Sequence, residues 1–415
     1  MEDTRKEYHH RILSFLIIVC GLLYIFAYQF KLPFKADVFL YGIVLGLVGM
    51  ALHQGRILLS RQVFLFFLVA FVSFIGILYT TRKEDGTREA ILFFLYAGMF
   101  MLSLLNRELV KSFAKWIYLI SIIVVLSSIL HYIVPTWFNL NIFRILREDA
   151  FARLIWSYQV DSTYAGIAAY TSNATFSSAI VFGNALLALI DQNHDSVFKK
   201  KLPNILLLTL SLFSIIICGK RGMFIASLGA VIVVMVYLYR GRNFFSKFIV
   251  ILLFSVIIFL MLYFLNDNVA AFFDRFVAGD FLTGRGEIYE ALMANLQGGR
   301  LLFGWGTGAT YELAEYGAHN IYLQILYDHG VFLSIPYYAL LIYNYYLSFK
   351  GKCLISIFVQ TVFLVYGISG NPLYSNMFMI IYIYHVLYAI RLPETGSRKN
   401  TTADKGNGRR YLAER

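Results

Sequence analysis

Twelve long apolar segments divide this sequence, and they constrain its fold more than any other feature. A helix needs about 20 mostly apolar residues to cross a bilayer, and backbone groups in lipid must hydrogen-bond within their own helix. Of 415 residues, 59% are hydrophobic and 14% are charged. The pattern predicts an all-α polytopic membrane protein with about 12 transmembrane helices. The predicted spans are 12–30, 38–52, 62–80, 90–105, 117–134, 166–190, 204–218, 223–239, 248–265, 331–348, 353–368 and 377–390.

The distribution of basic residues predicts the orientation of these spans. With both termini in the cytoplasm, the inner segments hold the larger share of the 36 Lys and Arg residues, as the positive-inside rule requires. We therefore expect helices 1–9 in residues 1–265, a large extracytoplasmic loop at 266–330, helices 10–12 in 331–390 and a disordered basic cytoplasmic tail at 391–415. The predicted spans leave no soluble domain, so the net charge of +12 does not indicate nucleic-acid binding.

The loop at 266–330 is the longest polar segment, and long loops with their own pattern are usually functional. Within it, "GRGEIYEALMANLQ" has the spacing of a short helix and "FGWGTGAT" predicts a glycine-rich turn. The stretch "GAHNIYLQILYDHGVF" then carries His319 and His329. Ten helical residues separate side chains by about 15 Å and roughly 80°. The two histidines therefore cannot share a metal ion, and no metal or cofactor is predicted.

A pair of cations lies on the predicted outer side, contrary to the positive-inside rule. The stretch "CGKRGM" places Lys220 and Arg221 in a very short turn between two apolar segments. One interpretation is that both side chains reach the lipid headgroups. The other is that they form an anion site with arginines of the long loop.

Three motifs, in this order, resemble those of the O-antigen polymerase and ligase family (the Wzy and WaaL type). The first is "GKRGM" with Arg221, and the second is "TGRGEIYEAL" with Arg285 and Tyr289, where family members often have tryptophan at the tyrosine position. The third runs from "GWGTGA" into "HNIYLQIL", which begins at His319. The resemblance implies a GT-C-like bundle whose extracytoplasmic loop carries short helices.

The resemblance also implies glycan transfer from undecaprenyl diphosphate to a sugar hydroxyl, on the outer face of the bacterial cytoplasmic (inner) membrane. Arginine suits a departing diphosphate because its planar fork binds two phosphate oxygens, and histidine suits the acceptor hydroxyl as a general base. The expected catalytic residues are Arg221, Arg285 and His319. The expected substrate-binding residues are Lys220, Arg300, His329, Asn320, Tyr322 and Asn173.

Several functions fit these motifs. A polymerase joins lipid-linked repeat units, and a ligase moves the polymer to the lipopolysaccharide core. The prediction favours a polymerase, because the richness in Ile, Phe and Tyr is typical of low-GC genomes, where an outer membrane is less assured. A lipid-glycan flippase or a non-catalytic membrane partner are the alternatives. The expected partners are glycan donor and acceptor, membrane lipids, a chain-length regulator and a flippase.

Overall fold

The computed structural model describes residues 2–30, 37–54, 59–104, 106–138, 141, 171–191, 194, 196–239, 285–315 and 317–390. Within these ranges the chain forms helices joined by turns, with no β-strand. Several predicted features lie outside the described residues. These are the span at 248–265, most of the outer segment after residue 141, the first part of the long loop and the tail at 391–415.

The first part of the chain forms nine helices within the described ranges. Their bounds are α1 Glu2–Phe30, α2 Asp37–Gln54, α3 Arg61–Ile77, α4 Lys83–Ser103, α5 Arg107–Ile133, α6 Pro135–Phe138, α7 Thr171–Ile190, α8 Lys201–Ile217 and α9 Arg221–Leu238. With the exception of the one-turn α6, each coincides with a predicted span. The apolar segments therefore predicted the positions of these helices.

The second part of the chain begins with short helices and continues with long ones. The bounds are α10 Gly286–Ala294, α11 Gly299–Phe303, α12 Thr310–Leu313, α13 Ile321–Lys350, α14 Leu354–Tyr366 and α15 Asn376–Ala389, with a 3-10 helix at Pro372–Tyr374. The short helices α10 to α12 occupy the predicted loop, and α10 lies where the sequence indicated a helix.

Four described helices are long and apolar enough to cross a membrane: Arg107–Ile133, Asn173–Ile190, Arg221–Leu238 and Ile321–Lys350. Six further apolar helices of 10–17 residues accompany them. Together they are typical of a membrane protein. The count of about 12 spans stays a prediction.

Polar contacts join the apolar helices to one another. Ser73 of α3 shares a hydrogen bond of 2.7 Å with the hydroxyl of Tyr337 in α13. The hydroxyl of Tyr96 in α4 donates to Asn376 at the start of α15. Since lipid offers no competing partners, such bonds help to fix how membrane helices pair.

Helix α13 differs from its prediction because it begins ten residues before the expected span and is broken at Gly330. The backbone there is left-handed and non-helical (φ 65°, ψ −176°), a conformation that glycine alone adopts without strain. A side chain at Gly330 would also meet the backbone nitrogen of Gly304 at 2.5 Å. The break lets residues 321–329 pack beneath the loop that carries the candidate site.

Candidate active site

A glycine-rich turn at residues 304–308 anchors the long loop to the bundle. Gly304, Gly306 and Gly308 all have left-handed backbone, as the sequence predicted for a turn. The nitrogens of Trp305 and Gly306 donate to the carbonyls of Tyr327 and Asp328 at 3.0 and 2.8 Å. The loop therefore rests directly on the first segment of α13.

Asp328 fastens the same turn through its side chain. Its Oδ1 accepts hydrogen bonds from the backbone nitrogen and the hydroxyl of Thr310 at 2.8 and 2.7 Å. The carboxyl group is fully buried, and Thr307 adds a bond of 2.7 Å to the carbonyl of Ser73 in α3. These contacts tie the loop to α3 and α13 and fix the position of the turn that follows.

His319 lies in that following turn, immediately before α13. Its backbone is left-handed (φ 53°), one of two described non-glycine residues with this property. The Asn320 side chain caps α13 by accepting from the nitrogens of Tyr322 and Leu323, each at 3.1 Å. Gln324 accepts from the nitrogen of Ala318 at 3.2 Å. Strained backbone held by several contacts is common where a side chain must be aimed at a ligand.

Two cations lie close enough to His319 to act on its charge. Burial, followed by Arg285 and Lys220, lowers the pKa of His319 from 6.5 to about 4. Burial and then Arg285 lower the pKa of Lys220 as well. The imidazole is therefore neutral near pH 7 and can accept a proton. The pKa of a free imidazole is higher, because a free imidazole lacks both the burial and the neighbouring cations.

Ser369 is the point at which the two cationic segments meet. Arg285 donates from Nη1 to the carbonyl of Ser369 at 2.7 Å. Gly222, two residues after Lys220, packs so closely on the Ser369 side chain that a Cβ at this glycine would collide with it. The absence of a side chain at Gly222 thus lets the 220–222 turn approach the segment that binds Arg285.

The structure therefore brings Lys220, Arg285 and His319 together from three distant parts of the chain. Arg221 is the first residue of α9 and directly follows Lys220. Tyr289 joins the group through a weak contact of 3.4 Å from its hydroxyl to the carbonyl of His319. Residues 220–221, 285–289 and 319 form what we call the cationic site.

Arg300 and His329 have surroundings of another kind. The Arg300 guanidinium lies over the Trp305 ring at 4.3 Å and donates to the carbonyl of Gly304 at 3.3 Å. His329 is fully buried and stacks on Tyr337 at 4.6 Å. These contacts favour structural roles, and a role in substrate binding stays a prediction.

The other predicted binding residues serve helix α13 or lie in α7. Asn320 is the cap already described, and the Tyr322 hydroxyl donates to the carbonyl of Leu364 in α14 at 2.8 Å. Asn173 is half-buried in the first turn of α7. Their proposed contacts with substrate are untested.

A buried polar cluster beneath the turn was not predicted from the sequence. Glu89 of α4 is 6% exposed and lies beside Tyr311, whose pKa is raised first by burial and then by this carboxylate. Tyr311 in turn lies beside Gln324, which bonds to the His319 turn. The sequence contained a sign of this cluster, because Glu89 and Asp328 are charged residues inside apolar stretches. Charged residues at such positions equally indicate the end of a membrane span.

No group of three His, Cys, Asp or Glu residues in the described ranges is arranged to hold a metal ion. The cationic site offers three cations (Lys220, Arg221 and Arg285), a neutral imidazole and a tyrosine hydroxyl. Cations can bind an anion such as a phosphate, and the imidazole can accept a proton beside it.

Fold and site together define a multi-helix membrane protein with a cationic site built by a structured loop. Residues 206–338 match a family described as O-Antigen ligase. The matched region runs from α8 into α13 and contains Lys220, Arg221, Arg285 and His319. It confirms the resemblance to the O-antigen polymerase and ligase family, whose members are glycosyl-transferring enzymes of polysaccharide biosynthesis. Neither the curated proteins nor the solved structures contain a match to this chain.

Proposed function

We propose that the protein polymerises undecaprenyl-diphosphate-linked repeat units into a surface polysaccharide, on the outer face of the cytoplasmic membrane. The observation that carries the proposal is the convergence of Lys220, Arg285 and His319 within the region that matches the family. Each comes from a different segment, and together they supply positive charge and a base. That combination suits the transfer of a sugar from a diphosphate to a hydroxyl.

The donor diphosphate is assigned to the cations. As the bond between the sugar and the diphosphate breaks, negative charge grows on the leaving oxygen. Preorganised cations in a partly dry site stabilise this charge, and loss of one such group typically costs about 10²–10³ in rate. Arg285 and Arg221 offer paired N–H groups, and Lys220 offers a point charge. In this proposal the chain itself supplies the positive charge, without a divalent ion.

The acceptor hydroxyl is assigned to His319. A neutral imidazole accepts the proton that the hydroxyl loses as it attacks the sugar carbon. The two cations that lower the pKa of His319 would be offset by a bound diphosphate, so donor binding should raise this pKa back toward 6.5. The base would then become stronger when the donor is in place.

A ligase remains the second candidate, because the matching family is described by that activity. The two reactions share the donor and differ in the acceptor, and the family match does not distinguish them. The transporter interpretation gains no support from the match. A flippase and a chain-length regulator stay predicted partners, and the cytoplasmic location of both termini stays a prediction.

The test is a deletion strain analysed by electrophoresis of its surface polysaccharide and complemented with each variant. A polymerase predicts loss of the long ladder with single repeat units remaining. A ligase predicts unattached lipid-linked polymer. Unchanged ladders in the deletion strain would contradict both, and restoration of ladders by a His319→Ala, Arg285→Ala double variant would remove the site from the proposal.

A further inference from the structure

A second cationic region lies at the opposite end of the bundle from His319. Helix α13 begins beside His319, breaks at Gly330 and ends at Lys350, and its segment after the break is about 30 Å long at 1.5 Å per residue. Around that far end is a cavity of about 340 Å³, within the size range of small-molecule sites. Lys111 and Lys115 of α5 and Lys199 of the segment before α8 line it. We call this the basic cavity.

The charged residues that line the basic cavity are cations. No Asp or Glu is among the described residues that line it. Lys111 pairs with Glu108 at 3.4 Å, but the two side chains are 46% and 87% exposed to solvent, and such surface pairs contribute little. A second cavity of about 270 Å³ adjoins the first through Lys111 and adds Arg107 and Lys352. Among the described residues that line it, Asp191 carries the one carboxylate. The region therefore holds a clear excess of positive charge.

A buried hydrogen-bond donor completes the basic cavity. Tyr118 lines it, is 3% exposed, and its hydroxyl has no hydrogen-bond partner in the described part of the chain. A buried hydroxyl without a partner costs free energy unless a ligand satisfies it. Ser112 and Ser196 add hydroxyls to the same lining.

The chemistry of these groups selects one class of ligand. Lysines bind phosphate as point charges, and hydroxyls donate to the remaining phosphate oxygens. Basic pockets between transmembrane helices are known to bind the headgroups of anionic lipids. The basic cavity lies at the first turns of α5, a helix that can cross a membrane, and Val197 and Ile355 give it an apolar wall.

We propose that the basic cavity formed by Lys111, Lys115, Lys199 and Tyr118 binds a phosphate group, carried by an anionic lipid or free in solution. This site is separate from the cationic site at the other end of α13. It does not depend on the function proposed above.

The experiment measures binding of phosphatidylglycerol to the full chain in phosphatidylcholine nanodiscs, by native mass spectrometry. The variant K111Q/K115Q/K199Q removes the cavity charge. The control K200Q/K201Q/K350Q removes the same charge from exposed positions at the same end that do not line the cavity. If each lysine that lines the cavity contributes about fivefold to affinity, the cavity variant should bind about 100-fold more weakly, and the control should lose much less because its lysines do not line the cavity. Equal losses in both variants would overturn the proposal, as would the absence of saturable binding to the wild type.

Two further arms sharpen the result. Y118F keeps the ring and removes only the hydroxyl, so it should fold normally and weaken binding about fivefold, the value of one hydrogen bond. Unchanged binding would remove Tyr118 from the site. Inorganic phosphate as competitor identifies the source. Displacement of the lipid at millimolar phosphate supports a soluble ligand, whereas failure to displace it supports the lipid headgroup.

Discussion

The two histidines of one short stretch have opposite surroundings. His319 is half-buried in a strained turn, with Lys220 and Arg285 near enough to lower its pKa to about 4. His329 follows ten residues later, fully buried and stacked on Tyr337. The first turns of α13 separate the two histidines, so that His319 lies in the loop and His329 lies inside the helix bundle. The comparison shows that the neighbours, and not the residue type, determine which histidine can do chemistry.

The largest effect is expected from His319. The variant His319→Ala removes the proposed base and should lower glycan transfer by about 10²–10⁴-fold, with protein level unchanged. Transfer is measured with purified protein and a lipid-linked repeat unit. His53→Ala, at an exposed position of α2, is the matched control and should keep normal activity. Activity of His319→Ala above one tenth of wild type would contradict the assignment.

The next effect compares two arginines of the same loop. Arg285→Ala should lower transfer by about 10²–10³-fold, because a preorganised charge is lost from the leaving group. Arg300→Ala should cost less than about tenfold, since that guanidinium packs on Trp305 and such contacts are weak at exposed sites. Kinetics of both variants in parallel provide the test. Equal losses would show that the two arginines act on the same substrate group.

The pH dependence follows from the lowered pKa of His319. The imidazole is neutral above about pH 4, so kcat/KM should fall as the pH drops through about 4, well below the ordinary value of 6.5. Lys220→Met removes one of the two cations and should move this fall to higher pH. Lys200→Met, at an exposed position of the opposite end, should leave it in place. An unshifted pH profile of kcat/KM in Lys220→Met would show that Lys220 does not act on the pKa of His319.

The smallest effect is expected from the second histidine. His329→Phe keeps a ring against Tyr337, and neither nitrogen of His329 has a hydrogen-bond partner in the described part of the chain. Phenylalanine is somewhat larger than histidine, and such overpacking typically costs about 1–3 kcal/mol of folding stability. Because no proposed catalytic group is lost, transfer by the folded protein should stay within about threefold of wild type, whereas His319→Phe should be inactive. An inactive but folded His329→Phe protein would assign chemistry to His329.

The long helices could be predicted from sequence because burial in lipid demands apolar segments, and eight of the first nine helices lie where those segments indicated. The start of α13 could not be predicted in this way. The residues before Gly330 belong to a polar loop in the sequence, yet in the structure they form the first turns of α13 and pack beneath that loop. The break at Gly330 depends on the approach of Gly304, a contact between distant segments that no local pattern encodes.

The candidate site was predictable in part. The sequence indicated Arg221, Arg285, His319 and Lys220, and the structure adds that Arg285 and Lys220 both act on the charge of His319. Glu89 was missed, because it lies in α4, more than 200 residues before the His319 turn, and its link to that turn runs through Tyr311 and Gln324. Such a link depends on tertiary packing alone.

The central claim is that the cationic site binds the diphosphate of the donor. The most direct test is a cryo-EM structure of the full chain with undecaprenyl diphosphate in nanodiscs. We predict diphosphate density within hydrogen-bond distance of Arg285 and Lys220, with the His319 ring beside the terminal phosphate. Density at Arg300, or at any place away from these three residues, would contradict it.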